Sequence, residues 1–267
     1  MHLKSLTLIA PKAALSDTYP FNIPLVRSVP EIAFTAPVTF FVGENGSGKS
    51  TLLEAIACAA GSITAGSADA ENDHSLAAVR TLAKQLKLTW HKKTRKGFFL
   101  RSEDYFGYVK RLAKMRAELE ADLRETEEAY KEKSKTAQGL ATMAYRREIH
   151  SLDTHYNGDL DSRSHGESYL AFFQARFVPG GLYLMDEPEA PLSPVRQLAL
   201  ISMLKLMIAQ DAQFIIATHS PILMAFPGAT LLSFDSLPPS HVAYDDLEHV
   251  IITRTFLNNP TQFLNQL

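Results

Sequence analysis

Nine consecutive residues, Gly43-Glu44-Asn45-Gly46-Ser47-Gly48-Lys49-Ser50-Thr51, fit the phosphate-binding spacing G-x-x-x-x-G-K-[ST]. Glycines at Gly43, Gly46 and Gly48 let the backbone turn without Cβ clashes, so successive N–H groups can converge on phosphate oxygens. A helix opening near Lys49 adds the positive end of its dipole to the same pocket. Lys49 then reaches the β- and γ-phosphates of a nucleoside triphosphate, the Ser50 hydroxyl binds Mg²⁺, and Thr51 supports the α-phosphate side. The flanks separate this reading from an ordinary glycine-rich turn. Val38 to Val42 is an apolar run with strand character, and Leu52 to Ala60 has helical character.

Three further groups lie downstream. Gly181-Leu182-Tyr183-Leu184-Met185-Asp186-Glu187-Pro188 is an apolar strand ending in adjacent acids, the Walker B pattern of nucleoside triphosphatases. A buried strand delivers Asp186 to the carboxyl edge of a sheet, where it can complete a Mg²⁺ shell with Ser50. Glu187 follows, placed to orient or deprotonate an attacking water. Adjacent acids after a strand are otherwise turn residues in solvent; the phosphate loop tips the balance. Thr218-His219-Ser220 ends the next strand, a place where a histidine is ordinarily a hydrogen-bonded turn residue. Arg163-Ser164-His165-Gly166-Glu167-Ser168 precedes the Walker B strand. Alone it reads as a Ser N-cap with Glu at N3, a capping box; the same residues at a helix N-terminus also suit a second anion site.

The elements that must position these groups alternate. Strands are predicted over 3–9, 38–42, 86–90, 98–100, 182–185, 213–217 and 230–234, and helices over 52–60, 75–85, 166–177 and 194–209, with a short helix after Pro221 and C-terminal helices closing the chain. The stretch from Pro11 to Pro37 reads as loops around short strands, not helix, and 61–74 as a loop. Between Tyr105 and Thr136 charges crowd in, and Val109, Leu112, Met115, Leu119 and Leu123 recur at helical spacing. This predicts a helical subdomain. The stripe fades after Leu123, which argues against a long coiled coil.

With 267 residues the chain suits one large α/β domain with an insertion. A net charge of −2 makes it no polycation, although His91 to Lys96 is locally basic. The single cysteine, Cys58, excludes an internal disulfide, fits a reducing compartment and reads as a small buried hydrophobe. Met1-His2-Leu3-Lys4 leads straight into a strand rather than a leader, and no uncharged apolar stretch spans a bilayer. The expectation is a cytoplasmic protein without membrane insertion.

The order phosphate loop, Ser164 segment, Asp186-Glu187, His219 resembles that of ABC-type ATPases. The chain is similar to stand-alone bacterial ABC-type ATPases of the AAA family, related to the SMC, RecF and OLD-like groups. The resemblance covers essentially the whole chain and implies an α/β P-loop NTPase core, a mixed, mostly parallel sheet with flanking helices, with a helical insertion over about 103–163 in a single domain of 1–267. It implies ATP and Mg²⁺ as ligands and His219 as the switch histidine that contacts the γ-phosphate. Ser164, Gly166 and Glu167 match the family's signature, which caps the γ-phosphate held by a second subunit, so an ATP-induced homodimer is implied. Arg163 and His165 depart from the signature's usual Leu and Gly. Pro188 to Pro194 occupies the place of the loop that communicates across the dimer. The family's Gln after the strand 98–100 is missing; Glu103 stands near its place as a Mg²⁺-side oxygen ligand. Tyr19 or Phe21 is the candidate for adenine stacking. A DNA-associated, nucleotide-gated clamp and, further off, a transporter ATPase subunit are the alternatives, with DNA or a protein effector as partner.

Overall fold

A computed structural model describes residues 1–9, 17–28, 31–65, 76–155 and 165–265. Its elements, in chain order, are β1 (Leu3–Leu8), α1 (Pro24–Ser28), β2 (Glu31–Ala33), β3 (Val38–Val42), α2 (Lys49–Ala60), α3 (Ala77–Ala83), β4 (Leu86–Trp90) and β5 (Gly97–Arg101). There follow α4 (Ser102–Ala129), α5 (Lys135–His155), α6 (His165–Arg176), β6 (Leu182–Asp186), α7 (Pro194–Ile208) and β7 (Gln213–Ala217). The chain closes with α8 (Pro221–Met224), β8 (Thr230–Ser233), β9 (Ser240–His241), α9 (Glu248–Asn258) and α10 (Pro260–Leu264).

The main sheet runs β5-β6-β7-β3-β8-β9, parallel except for the edge strand β9. A second, antiparallel sheet runs β2-β1-β4. This is the mixed α/β P-loop architecture that the motifs call for. β3 lies inside the main sheet between β7 and β8, and all five of its residues are buried. Such a strand needs apolar side chains on both faces, which Val38-Thr39-Phe40-Phe41-Val42 supplies. Its alternation splits the core. Val38, Phe40 and Val42 join Tyr183, Phe214 and residues of α6 and α7 on one face. Phe41 joins Leu184, Ile215 and the apolar side of α2 on the other. Each fully buried side chain of this size contributes about 1.5–3 kcal/mol, so both faces are held.

Register does the positioning. Arg101 pairs with Asp186, Asp186 with Ala217, Phe41 with Ala217, and Val42 with Ser233. All these strands therefore end on one edge, and the loops that leave it share one site.

Three expectations need correction. The stretch Pro11–Pro37 contains a one-turn helix, α1, with Leu25 and Val26 buried; Pro24 opens that helix, where its fixed φ is an advantage. Within the insertion read over about 103–163, α5 begins at Lys135 and runs 21 residues back along α4, which has 28. The stripe need not continue to make a pair. Leu119, Leu123 and Thr126 are half-buried, Thr142 of α5 is buried, and Arg146 bridges to Glu127 at 2.8 Å. The less exposed residues of α5 are Ala137, Gln138, Ala141, Thr142, Tyr145 and Ile149, a mixture that registers weakly in a hydrophobic pattern. Met115, expected in the stripe, is 49% exposed. Cys58, expected buried, keeps partial exposure on α2.

Candidate active site

The loop between β3 and α2 takes positive φ at Gly43 (136°), Gly46 (82°) and Gly48 (94°). At Gly43 the requirement is also one of space, since a Cβ would stand 2.7 Å from Oδ1 of Asp235. That same oxygen accepts the Glu44 backbone N–H at 2.7 Å, so the loop's entry is tied to the segment after β8. α2 starts without a side-chain cap on its first N–H groups, which leaves them for an anion. Lys49 is buried, and its Nζ donates to Gly43 O (2.7 Å), Glu44 O (2.8 Å) and Ser47 Oγ (3.3 Å). All three of its protons are engaged within the loop, so phosphate binding must exchange some of these bonds for new ones. Burial lowers the Lys49 pKa, opposed by the carboxylates of Asp235, Asp186, Glu187 and Glu44.

Ser50 Oγ donates to Asp186 Oδ1 at 3.1 Å. Two motifs 136 residues apart therefore meet as a hydroxyl and a carboxylate, oxygen donors of the kind a hard divalent cation takes. Burial pushes the Asp186 carboxyl up to about 6, with the Ser50 hydrogen bond and Lys49 acting against it and Glu187 with it. A half-buried carboxylate with this penalty is one that a bound cation would relieve. The residues present thus fit Mg²⁺.

Glu187 has φ 48°, one of two positive-φ residues other than glycine in the described chain. Its N–H is held by Ala217 O at 2.9 Å, and the side chain is exposed to the pocket rather than continuing the strand's alternation. Strain of this kind collects at functional sites. His219, at the end of β7, lines the same pocket. Burial lowers the His219 pKa, and Lys49 acts in the same direction, so the neutral imidazole is favoured.

The pocket holds about 280 Å³ and is lined by Asn45, Gly46, Gly48, Lys49, Ser50, Thr51, Glu187 and His219 on one side and by Tyr19 and Ile23 on the other. Tyr19 is 50% exposed and its hydroxyl sits 3.3 Å from Thr51 Oγ1, whereas Phe21 is buried in the core. Of the two aromatic candidates, only Tyr19 borders the pocket. Gly166 and Glu167 do not line it. They open α6, where Glu167 pairs with Arg196 at 2.8 Å and a Cβ at Gly166 would stand 2.7 Å from Arg196 Cδ. Ser164 and the Glu103 side chain lie outside the described residues.

Several groups at the site carry no motif. Asp235 holds the loop entry. Glu189 accepts from Thr218 Oγ1 (2.6 Å) and from the His219 backbone N–H (2.8 Å). Arg101, the last residue of β5, is buried and pairs with Asp104 at 2.8 Å and with Glu54 of α2 at 3.5 Å. His249 of α9 stands with its ring 6.4 Å from that of His219. An acid or cation just past a strand's carboxyl end is the one sequence signal Asp235 and Arg101 offer.

Two family models match the chain. One, described as an AAA domain, covers residues 26–97 and so contains the phosphate loop. The other, described as AAA domain, putative AbiEii toxin, Type IV TA system, covers 168–225 and contains Asp186, Glu187 and His219. No curated protein matches. Among solved structures the chain is similar to an Smc head domain from Pyrococcus furiosus, at 11% identity over 95% of this chain and 99% of that one, with a TM-score of 0.45. It is also similar to a nucleotide-free ATP-binding cassette from an ABC transporter, at 16% identity over 97% and 96%, with a TM-score of 0.45. CbiO1 of Clostridium perfringens gives 15%, 98% and 98%, and 0.43. At such scores these likenesses carry no weight in assigning a role.

Proposed function

We propose that the chain, which AAA-domain models match over residues 26–97 and 168–225, is an ABC-type P-loop ATPase related to the SMC and RecF ATPases, and that it binds MgATP, closes head to tail on a second copy and then hydrolyses the nucleotide. The observation that carries this reading is the meeting of Ser50 and Asp186 at 3.1 Å beside Lys49, Glu187 and His219 in one pocket.

Each residue has a task. The N–H groups of 43–51 cradle the phosphates, and the Lys49 ammonium exchanges its loop carbonyls for β- and γ-phosphate oxygens. Ser50 and Asp186 would hold Mg²⁺, with Glu103 a further candidate; the bound cation neutralises charge building on the phosphate oxygens. Glu187 orients or deprotonates the water that attacks in line. His219, neutral by its surroundings, donates a hydrogen bond toward the γ-phosphate. Gly166 and Glu167, which do not line their own chain's pocket, complete the partner's together with Ser164. Tyr19 stacks on the base.

In this reading residues 1–267 form one ATPase domain, and the insertion over about 103–163 is the arm that transmits closing and opening. The α4–α5 pair is its described part. None of the described helices is long and apolar enough to cross a membrane. Phosphate release by the purified protein in MgATP tests the reading, because a composite site makes specific activity rise with protein concentration. Specific activity independent of concentration would count against the dimer.

A nucleotide-gated clamp on DNA has one observation in its favour. His91, Lys92, Lys93, Arg95 and Lys96 are all exposed around a single turn. Salt-dependent DNA binding, with a steep log–log slope, would support it.

A further inference from the structure

Strand β7 ends at Ala217, and the last backbone bond to the sheet is the Thr218 N–H to Phe41 O at 3.2 Å. Beyond that bond, side chains of the segment 189–197 reach Thr218, His219 and Ser220. Glu189 Oε1 accepts the Thr218 hydroxyl at 2.6 Å and the His219 N–H at 2.8 Å. Thr218 Oγ1 accepts the Ser220 N–H at 3.0 Å, and Ser220 Oγ donates to Gln197 Oε1 while accepting the Leu223 N–H at 3.1 Å. Neither Glu189 nor Gln197 lines the pocket. Glu189 meets the site through the backbone of His219, and Gln197 meets it through the hydroxyl of Ser220.

The choice of a carboxylate here is costly. Oε2 of Glu189 is sealed from solvent without a hydrogen-bond partner among the described residues, and leaving such a group unmatched is destabilising. Burial raises the pKa of the Glu189 carboxyl, while its bonds to Thr218 and His219 act against that. A charge-assisted bond to a backbone N–H is stronger and more directional than a neutral one. That is what a site needs in order to fix a peptide unit outside any sheet.

We infer that Glu189 is a positioning residue for His219: its carboxylate sets the peptide that carries the imidazole, so that the 188–193 segment and the histidine move as one body. The inference rests on the reading above that His219 acts on the γ-phosphate, and it adds how that histidine is held. The segment 188–193 lies next to Glu187 in sequence and next to α6 in space, since Pro191 O would stand 3.1 Å from a Cβ at Gly166. A partner pressing on this loop would thus alter the pose of His219 directly.

The test is a double-mutant cycle on ATP hydrolysis, with KM measured separately from kcat. Glu189→Ala should lower kcat by about tenfold to a hundredfold, the scale of a misplaced catalytic group, with KM for ATP changed by less than about threefold. Glu189→Gln, whose amide oxygen still accepts both bonds, should recover to within about threefold of the wild type. The double variant with His219→Ala should be no slower than His219→Ala alone, because coupled residues fail to add. Multiplicative losses would overturn the inference, as would a loss in KM alone. Should Glu189→Ala fail to fold, Glu189→Asp, which withdraws the carboxylate by one methylene, carries the same expectation. The His219 amide resonance of ¹⁵N-labelled protein gives a readout independent of activity. It should lose its downfield, hydrogen-bonded position in Glu189→Ala and keep most of that shift in Glu189→Gln, whose amide oxygen still accepts the bond; a resonance unmoved in Glu189→Ala overturns the inference. If His219→Ala hydrolyses ATP at the wild-type rate, the role given to the histidine fails, and the amide resonance still decides whether Glu189 holds it.

Discussion

Asp235 and Glu44 are joined by a 2.7 Å hydrogen bond in which the carboxylate just past β8 accepts the N–H of the second residue of the phosphate loop. The bond reaches across 191 residues of sequence, and it is made possible by the glycine before it. A side chain at Gly43 would overlap the same carboxylate. Asp235 is thereby part of what gives the loop its shape, although it touches no phosphate itself. Asp235→Ala should weaken nucleotide binding by about tenfold and cost about 1–2 kcal/mol of stability, the value of a charge-assisted bond to a backbone donor. Gly43→Ala should be worse on both counts, because it also meets a φ of 136°. A fluorescent-nucleotide titration and a thermal melt check both; unchanged binding in Asp235→Ala would remove its role.

Lys49 presents a different balance. Its ammonium spends all three protons on the loop itself, so it organises the pocket before any nucleotide arrives. Lys49→Ala should lose ATP affinity by at least about a hundredfold, since one strong phosphate contact and the loop's internal bridge vanish together. Fluorescent-nucleotide titration reads this directly, and near-native affinity would discredit the loop assignment.

Asp186 gives the pH dependence. Its carboxyl is raised by burial to about 6, so the folded protein binds that proton more tightly than the unfolded chain. Without metal, the penalty for the buried charge is present above about pH 6 and is relieved as pH falls through that value. Asp186→Asn removes the charge and should raise the stability of the metal-free protein at neutral pH, by on the order of 1–3 kcal/mol. The same variant should lose the Mg²⁺ dependence of ATP binding. In the wild type, Mg²⁺-dependent affinity should fall as pH drops below about 6, while binding measured in EDTA should not. Melting curves of both proteins at pH 5 and pH 7.5 test the first claim; a destabilised Asp186→Asn in the absence of metal would contradict it.

How much of this was legible beforehand follows the physics of each signal. The phosphate loop and the Asp186-Glu187 strand were readable because each is a local pattern whose residues act close to where they stand in sequence. The meeting of Ser50 with Asp186 followed from sheet topology alone. α5 lay within the expected insertion but gave no clean stripe, because its less exposed residues mix Ala137, Gln138, Ala141 and Thr142 with Tyr145 and Ile149. α1 was missed because Pro24 reads as a breaker when it is a first residue. Glu189 and Asp235 could not be named for a simpler reason. Each acts by accepting a backbone N–H from a distant segment, and backbone donors have no sequence identity. The choice between Tyr19 and Phe21 needed burial, which a sequence of two aromatics in one loop does not rank.

The reading depends above all on a triphosphate shared between two copies of the chain. The most direct measurement is the mass of Glu187→Gln in MgATP, by light scattering at several protein concentrations, beside the turnover of the wild type. With the water-directing carboxylate replaced, nucleotide should be retained and the protein should accumulate as a dimer. A variant that stays monomeric at every concentration while holding ATP, next to a wild-type monomer that still hydrolyses it, would contradict the shared site.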